Sequence, residues 1–295
     1  MTSQLAPPNF RSFRFTRERE FARRFSRRPA GVASLAIVLV VLFCGIFAGV
    51  ASTHDPIATD FASTFSGPSV DHWLGTDNLG RDTYSRIVHG AETALLVGLI
   101  SVGIGIAVGM PYGMLAGYLG GWKDEGMMRV MDALFAFPAI LLALIIIAVL
   151  GTGVLNVMIA IGVVFVPGIA RLVRGSTLSV KEMEYVTAAE SIGASTTRII
   201  FRHVAPNIMA PVIVQSSLLI GAAIIAEAGL SFLGLGTQPP DPSWGAMLGG
   251  AQRFLTSEAS LAIYPGLAIV LTVLAFNLLG DTLRDLLDPR LRGSD

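Results

Sequence analysis

The chain has 295 residues, of which 53% are hydrophobic and only 14% are charged, and its formal net charge is zero. That balance excludes a disordered chain and is atypical of a soluble domain. The single cysteine, Cys44, excludes a disulfide framework within the chain. We therefore expect an all-α, polytopic membrane protein.

Six apolar segments are long enough to cross a hydrocarbon layer, which needs roughly 20 residues per helix. The predicted spans are Ala30–Val50, Ala94–Tyr118, Ala133–Leu150, Leu155–Val173, Ile208–Leu235 and Leu261–Leu279. The first is longer than the apolar core of a signal peptide and follows a long basic arm, so it is interpreted as a retained anchor. This scheme divides the chain into an arm (1–29), a first transmembrane helix (30–50), an external loop (51–93), a membrane core (94–285) and a tail (286–295).

Arginine placement predicts the orientation of these spans. Eight arginines precede the first one: Arg11, Arg14, Arg17, Arg19, Arg23, Arg24, Arg27 and Arg28. With six spans, Arg198, Arg290 and Arg292 fall on the same side as this arm. The positive-inside rule then predicts that both termini are cytoplasmic. Orientation and contact with anionic lipid explain the arm without a nucleic-acid partner, the other partner that such a basic run can indicate.

The second span carries glycines at intervals of four residues. They are Gly105, Gly109, Gly113, Gly117 and Gly121, with Pro111 among them as an expected bend. Such spacing places the glycines near one stripe of a helix, where another backbone can approach closely. The pattern predicts a tight helix–helix seam and leaves open whether the partner helix belongs to this chain.

A polar island, defined here as Glu184–Asn207, lies between the fourth and fifth spans. Helix-forming residues end at Ser191, and Gly193 occupies the position of a left-handed helix terminator. Ser195 is placed to cap a second short helix, Thr196–Val204, which we expect Pro206 to stop. The pattern predicts two short helices that serve as a docking element for another protein.

One acidic residue, Glu227, lies in the fifth span near its predicted external end. Ionisable residues in a span are candidates for a pathway or a gate. The alternative is that Glu227 bonds internally and stabilises a broken helix before Gly229.

Motifs for several chemistries are absent from the sequence. There is no G-x-x-x-x-G-K-[ST], C-x-x-C or H-E-x-x-H pattern, so we expect no enzyme, nucleotide site or metal site in this chain. The pairs His54–Asp55 and Asp71–His72 are weak candidates for a transition metal. Ser231 resembles the nucleophile of a serine hydrolase, but no histidine or lysine in the later sequence offers a general base for it. The island resembles a DNA-binding helix-turn-helix, but it has no room for the supporting helices of such a module.

Several stretches carry a resemblance to a known family. They are Leu74–Arg86, Met128–Leu144, Glu184–Ala194, Phe201–Asn207, Glu227–Leu248 and Phe276–Gly293. From about residue 25 onward the chain resembles the "C" permease of ABC importers for dipeptides, oligopeptides or nickel. Glu92 departs from that pattern, since the family often has a basic residue there.

The resemblance implies the transmembrane fold of type I ABC importers, in a bacterial inner membrane. A homologous second permease would complete the pathway, and an external binding protein would deliver the cargo. Two cytoplasmic ATPases, which bind ATP and magnesium, would hold the coupling loop 181–207. The family motif maps there onto Glu184, Ala188, Ala189, Gly193 and Pro206. Peptides are the expected cargo, nickel and glutathione are the alternatives, and an ion-driven secondary transporter is the competing class.

Overall fold

The computed structural model describes residues 23–287. The predicted arginines from Arg11 to Arg19, as well as Arg290 and Arg292 in the tail, lie outside the described residues. Within residues 23–287 the fold is helical, and the sole β-type pairing is an isolated bridge between Thr76 and Asp82. The all-α prediction is confirmed for this part of the chain.

Nine helices of eight or more residues occur in the described part. They are α1 (Pro29–Ile46), α2 (Thr83–Leu119), α3 (Gly121–Phe135), α4 (Ala139–Leu150), α5 (Val154–Lys181), α6 (Glu184–Ser191), α7 (Ala205–Phe232), α8 (Trp244–Ala251) and α9 (Ser260–Leu287). Shorter helical turns cover Ala48–Ala51, Phe61–Ser63, Thr196–Ile199 and Gln252–Phe254, and a π-helical turn covers Ile200–Val204.

Five continuous helical segments are long and apolar enough to span a membrane: α1, α2, α5, Thr196–Phe232 and α9. The predicted third span, Ala133–Leu150, is not one straight helix, because α3 and α4 meet at an angle of 86°. Pro138 lies at this break, and a proline disfavours helical backbone before it. With 12 residues, α4 is about 18 Å long, too short to cross alone. The described helices therefore give five spans, or six if the bent pair α3–α4 forms one span.

Three of the long helices, α2, α5 and α9, extend beyond the apolar segments that predicted them. Helix α2 begins at Thr83 rather than Ala94, so part of the predicted external loop 51–93 is helical. Its first turn is capped by Asp82, whose Oδ2 accepts a hydrogen bond of 2.7 Å from the Ser85 amide. Hydropathy identifies only the apolar part of a helix. The polar first turns of α2, which Asp82 caps, were therefore not predicted to be helical.

Two ends of the bundle are distinguished below. The island face carries the island, the start of α1 and the end of α9, where Arg28 pairs with Asp285. The loop face, at the opposite end, carries residues 51–82 and 236–259. Helices α2 and α5 form the most extensive contact of the fold, and α9 packs against α1 and α7. The α2–α5 contact continues at the island face into the buried cluster that includes residues of the island.

Candidate coupling element

The island is a helix, a left-handed glycine and a second helical start. The amide of Gly193 donates to the Glu190 carbonyl at 2.9 Å, and that of Ala194 to the Ala189 carbonyl at 3.1 Å. This pair of bonds is a Schellman motif, and the φ of +81° at Gly193 is the conformation it requires. Ser195 then caps the next turn by accepting from the Arg198 amide at 3.4 Å.

The second helix of the island does not stop at Pro206, contrary to the prediction. It runs from Thr196 through the π-helical turn Ile200–Val204 into α7, and the whole segment ends at Phe232. In this turn the Ala205 amide donates to the carbonyl of Ile200, five residues back. The wider turn relieves the clash that a proline causes in regular helix, and Pro206 sits in the first turn of α7. The island is therefore rigidly continuous with a membrane helix.

The island has an inner and an outer surface. Val186, Ile199 and Val204 are buried against Met114 and other residues of the α2–α5 core. The outer surface exposes large apolar side chains, with Ile192 at 86% and Phe201 at 67% exposure. Exposed apolar side chains beside a polar rim are typical of a contact surface for another protein.

The predicted coupling residues are divided between these surfaces. Glu184, Ala188, Gly193 and Pro206 are exposed, whereas Ala189 is only 7% exposed and belongs to the internal cluster. Of the two alanines, only Ala188 is open to a partner. A Cβ added to Gly193 would meet no atom within 4 Å, so the requirement for glycine there comes from the backbone angle rather than from space.

Two polar contacts hold the end of α2, one to the island and one to the last residue of α5. The Tyr118 hydroxyl donates to Glu190 Oε1 at 2.9 Å, and Lys181 Nζ donates to the Tyr118 carbonyl at 2.7 Å. Lys181 also lies 5.1 Å from the centre of the Tyr118 ring. Sequence reasoning missed these contacts because they join residues far apart in the chain.

The glycine stripe of α2 faces α5 of the same chain. A Cβ on Gly109 would lie 2.8 Å from the Val166 carbonyl oxygen, and one on Gly117 would lie 2.9 Å from that of Arg174. Gly113 likewise faces the Ala170 carbonyl oxygen, whereas Gly105 faces the side chains of Ile169 and Phe165. Gly121 does not belong to this seam, because α2 ends before it and nothing lies within 4 Å of its Cβ position. The close approach makes α2 and α5 one stiff unit beneath the island.

Ion pairs at the island face join α3 to α5. Asp124 accepts two hydrogen bonds from Arg174, at 2.6 and 2.7 Å, in a bidentate pair. Asp132 accepts one from Arg171 at 2.8 Å, and the Arg171 guanidinium stacks 4.1 Å from the Phe135 ring centre. These groups border a cleft of about 500 Å³.

Glu227 lies at the other end of α7 and is 2% exposed. Its Oε1 accepts a 2.5 Å hydrogen bond from the Ser231 hydroxyl, whose oxygen in turn accepts from the Thr237 amide at 3.1 Å. An apolar groove of about 470 Å³ lies between α4, α5 and α7, and Glu227 does not line it. The geometry fits internal bonding of Glu227, but α7 is not broken before Gly229, because it continues to Phe232.

The loop face buries other polar groups. Arg86 is 5% exposed and donates to the Pro56 carbonyl at 2.8 Å, while Trp244 is 3% exposed and donates to the Ile87 carbonyl at 2.9 Å. Burial raises the pKa of Asp82, but hydrogen bonds from Ser85 and His72 outweigh it and leave that pKa below its ordinary value. Hydrogen bonds from buried side chains thus hold the loops of this face against the helix bundle.

Comparisons with known proteins agree with this architecture. Residues 109–293 match the family described as "Binding-protein-dependent transport system inner membrane component". Residues 16–68 match the "N-terminal TM domain of oligopeptide transport permease C". Among solved structures, an inward-facing MetNI methionine ABC transporter aligns with a TM-score of 0.56 and 17% identity, over 69% of this chain and 97% of that chain.

Curated relatives are more similar in sequence. The glutathione transport system permease protein GsiD is 49% identical over 275 residues in Shigella flexneri serotype 5b (strain 8401). The proteins of that name are 47% identical over 275 residues in Escherichia coli O157:H7 and 49% over 276 residues in Salmonella typhimurium (strain LT2). Each alignment covers 93% of this chain and 91% of the relative. The chain therefore belongs to the ABC importer permeases of the peptide, oligopeptide and nickel family.

Proposed function

We propose that this multi-pass permease forms half of the translocation pathway of an ATP-driven importer for short peptides, in a bacterial inner membrane. The observation that carries the proposal is the island, an outer apolar surface fixed to a stiff helix unit. A force applied at Ile192 or Phe201 passes through the continuous helix Thr196–Phe232 and through the Tyr118 contact into α2. Such an element would transmit a conformational change from an ATP-hydrolysing subunit to the membrane helices of this chain.

The proposed partners are those expected for a binding-protein-dependent importer. Two cytoplasmic ATPase subunits hold the island, bind ATP and magnesium, and drive the change of access. A homologous second permease completes the pathway, and an external binding protein selects the cargo. Both termini and the island are cytoplasmic in this proposal, in agreement with the arginine distribution.

Glutathione is the first cargo to test, because relatives named as glutathione permeases are 47–49% identical over nearly their whole length. Glutathione is itself a tripeptide, so this choice refines the peptide class. Nickel is the alternative cargo outside the peptide class.

Reconstitution into liposomes with the ATPases, second permease and binding protein tests the proposal. Glutathione uptake is expected to require ATP and to be absent when the chain is reconstituted alone. Uptake by the chain alone, driven by an ion gradient, would overturn the proposal. Parallel assays with unmodified dipeptides and with Ni²⁺ measure the cargo class directly.

Variants of Gly193 test the coupling role. Gly193→Asn keeps a residue that tolerates φ > 0, whereas Gly193→Val places a β-branched residue in that strained conformation. The valine variant is expected to insert normally and to retain ATP hydrolysis while losing most uptake. The asparagine variant is expected to transport nearly as well as the parent chain. Equal transport by both variants would show that the Gly193 turn does not couple.

Variants of the outer surface test the ATPase contact. Ile192→Asp is expected to abolish co-purification of the ATPases, because it places a charge in an apolar interface. Val70→Asp is the matched control, since Val70 is 91% exposed on the loop face. Loss of the ATPases from both variants, or from neither, contradicts the proposed contact.

A further inference from the structure

Three potential metal ligands meet on the loop face. His54 follows the short turn after α1, His72 lies in the middle of the segment 51–82, and Asp82 ends it at the start of α2. One ligand atom from each residue lies within 4.8 Å of the other two. The neighbouring pairs seen in the sequence are not the cluster, because Asp55 instead accepts from the Ile57 amide at 2.9 Å.

The distances are close to those of a tetrahedral site. His72 Nδ1 lies 2.9 Å from Asp82 Oδ1, and His54 Nδ1 lies 3.8 Å from that oxygen. Ligands about 2.0–2.1 Å from a tetrahedral zinc ion are separated from each other by about 3.3 Å. The two separations from Asp82 Oδ1 bracket this value, and the ligand atoms of His54 and His72 lie within 4.8 Å of each other. Side-chain movements of at most about 1.5 Å would therefore bring the three ligands around one ion.

The carboxylate is also oriented for this role. Asp82 Oδ2 is engaged by the Ser85 amide at 2.7 Å, which leaves Oδ1 directed at the two imidazoles. Its side chain is 1% exposed, whereas that of His54 is 41% exposed. A ligand fixed by a second hydrogen bond is typical of metal sites, and the solvent-facing side provides room for water as a fourth ligand.

We propose that His54, His72 and Asp82 bind a divalent transition-metal ion of the zinc class. Two imidazoles and one carboxylate suit zinc and its neighbours, whereas calcium and magnesium need more oxygen ligands. The ion would join the beginning, middle and end of the segment 51–82 and so fix the loop face. This inference concerns a structural ion and does not depend on the cargo.

Zinc titration of the purified, chelator-treated full chain tests the site. Calorimetry is expected to show one Zn²⁺ per chain and a metal-dependent rise in melting temperature. His54→Ala and His72→Ala are each expected to weaken binding by about tenfold or more and to abolish the rise. His89→Ala is the matched control, because its Nδ1 bonds the Ser85 carbonyl at 2.9 Å outside the cluster.

Asp82→Asn separates the ligand from the helix cap. Asparagine caps helices as well as aspartate does, so the apo variant should keep its melting temperature while losing zinc binding. No saturable binding to the parent chain, or binding unchanged in both His54→Ala and His72→Ala, would overturn the proposal. So would an equal loss of binding in His89→Ala.

Discussion

The island face and the loop face differ in how their segments are held to the rest of the bundle. At the island face Ile192 and Phe201 are exposed, and the Tyr118–Glu190 hydrogen bond joins the island to α2. At the loop face Glu227, Arg86 and Trp244 are buried and bonded to neighbouring segments. The island therefore leaves large apolar side chains open to a partner, whereas internal hydrogen bonds hold the buried groups of the loop face in place. Between them, the α2–α5 seam is the part that must stay rigid.

The largest expected effect is at that seam, with Gly113→Val. An added Cβ would lie 3.0 Å from Val173 Cβ and would also collide with the Ala170 carbonyl oxygen. Because backbone cannot yield as a flexible side chain does, we expect a loss of about 3 kcal/mol or more in the free energy of unfolding. The measurement is the yield and thermal stability of the detergent-purified chain.

Gly103→Val is the control for this change. Gly103 lies on the same helix, and nothing lies within 4 Å of its Cβ position. It therefore suffers the same change in helix propensity without the collision, and its stability should stay near that of the parent chain. Similar losses in both variants would show that the seam is looser than the geometry indicates.

Glu227 is the site of the next largest effect. Glu227→Leu leaves the Ser231 hydroxyl without its acceptor in a buried position, which should cost about 1–3 kcal/mol of stability. Glu227→Gln keeps an oxygen that can accept from Ser231, so it should restore most of the stability and leave uptake unchanged across pH. A pH-dependent loss of uptake in the glutamine variant would instead assign Glu227 to the pathway or the gate.

A smaller effect is expected from Tyr118→Phe, which removes the hydrogen bond to Glu190. The loss of stability should be about 0.5–1.5 kcal/mol, but uptake per ATP hydrolysed should fall, because the island is then less firmly joined to α2. Tyr112→Phe is matched to it, since Tyr112 donates to the Met127 carbonyl at 2.7 Å and does not touch the island. A similar fall in uptake per ATP in the Tyr112 variant would contradict a coupling role for Tyr118.

These contacts also show how far the sequence could predict the structure. Local chemistry foretold the all-helical membrane fold, the left-handed turn at Gly193 and the cap at Ser195, because each depends on neighbouring residues. The Tyr118–Glu190 contact depends on how helices distant in sequence pack, so no local pattern carries it. The prediction that Pro206 ends the second island helix was wrong, because a π-helical turn before it lets the helix continue. Ala189 was assigned to a partner although the helical period could have placed it on the face of Val186.

The smallest effect is expected from Arg129→Ala at the island face. Arg129 pairs with Glu125 at 3.3 Å along one face of α3, and both side chains are at least 70% exposed. Such a pair contributes about 0.3–0.5 kcal/mol, so melting temperature and uptake should barely change. Arg174→Ala is the comparison, because its bidentate partner Asp124 is buried and belongs to another helix.

We expect Arg174→Ala to cost more stability than Arg129→Ala, since it leaves the Asp124 carboxylate buried without its partner. Raising the salt concentration should erase the small effect of Arg129→Ala and preserve most of that of Arg174→Ala, because exposed pairs are screened and enclosed pairs much less so. Equal effects of the two substitutions would mean that the α3–α5 contact adds nothing to the rigidity of the seam. A clear difference would show that α3 belongs to the same rigid unit as α2 and α5.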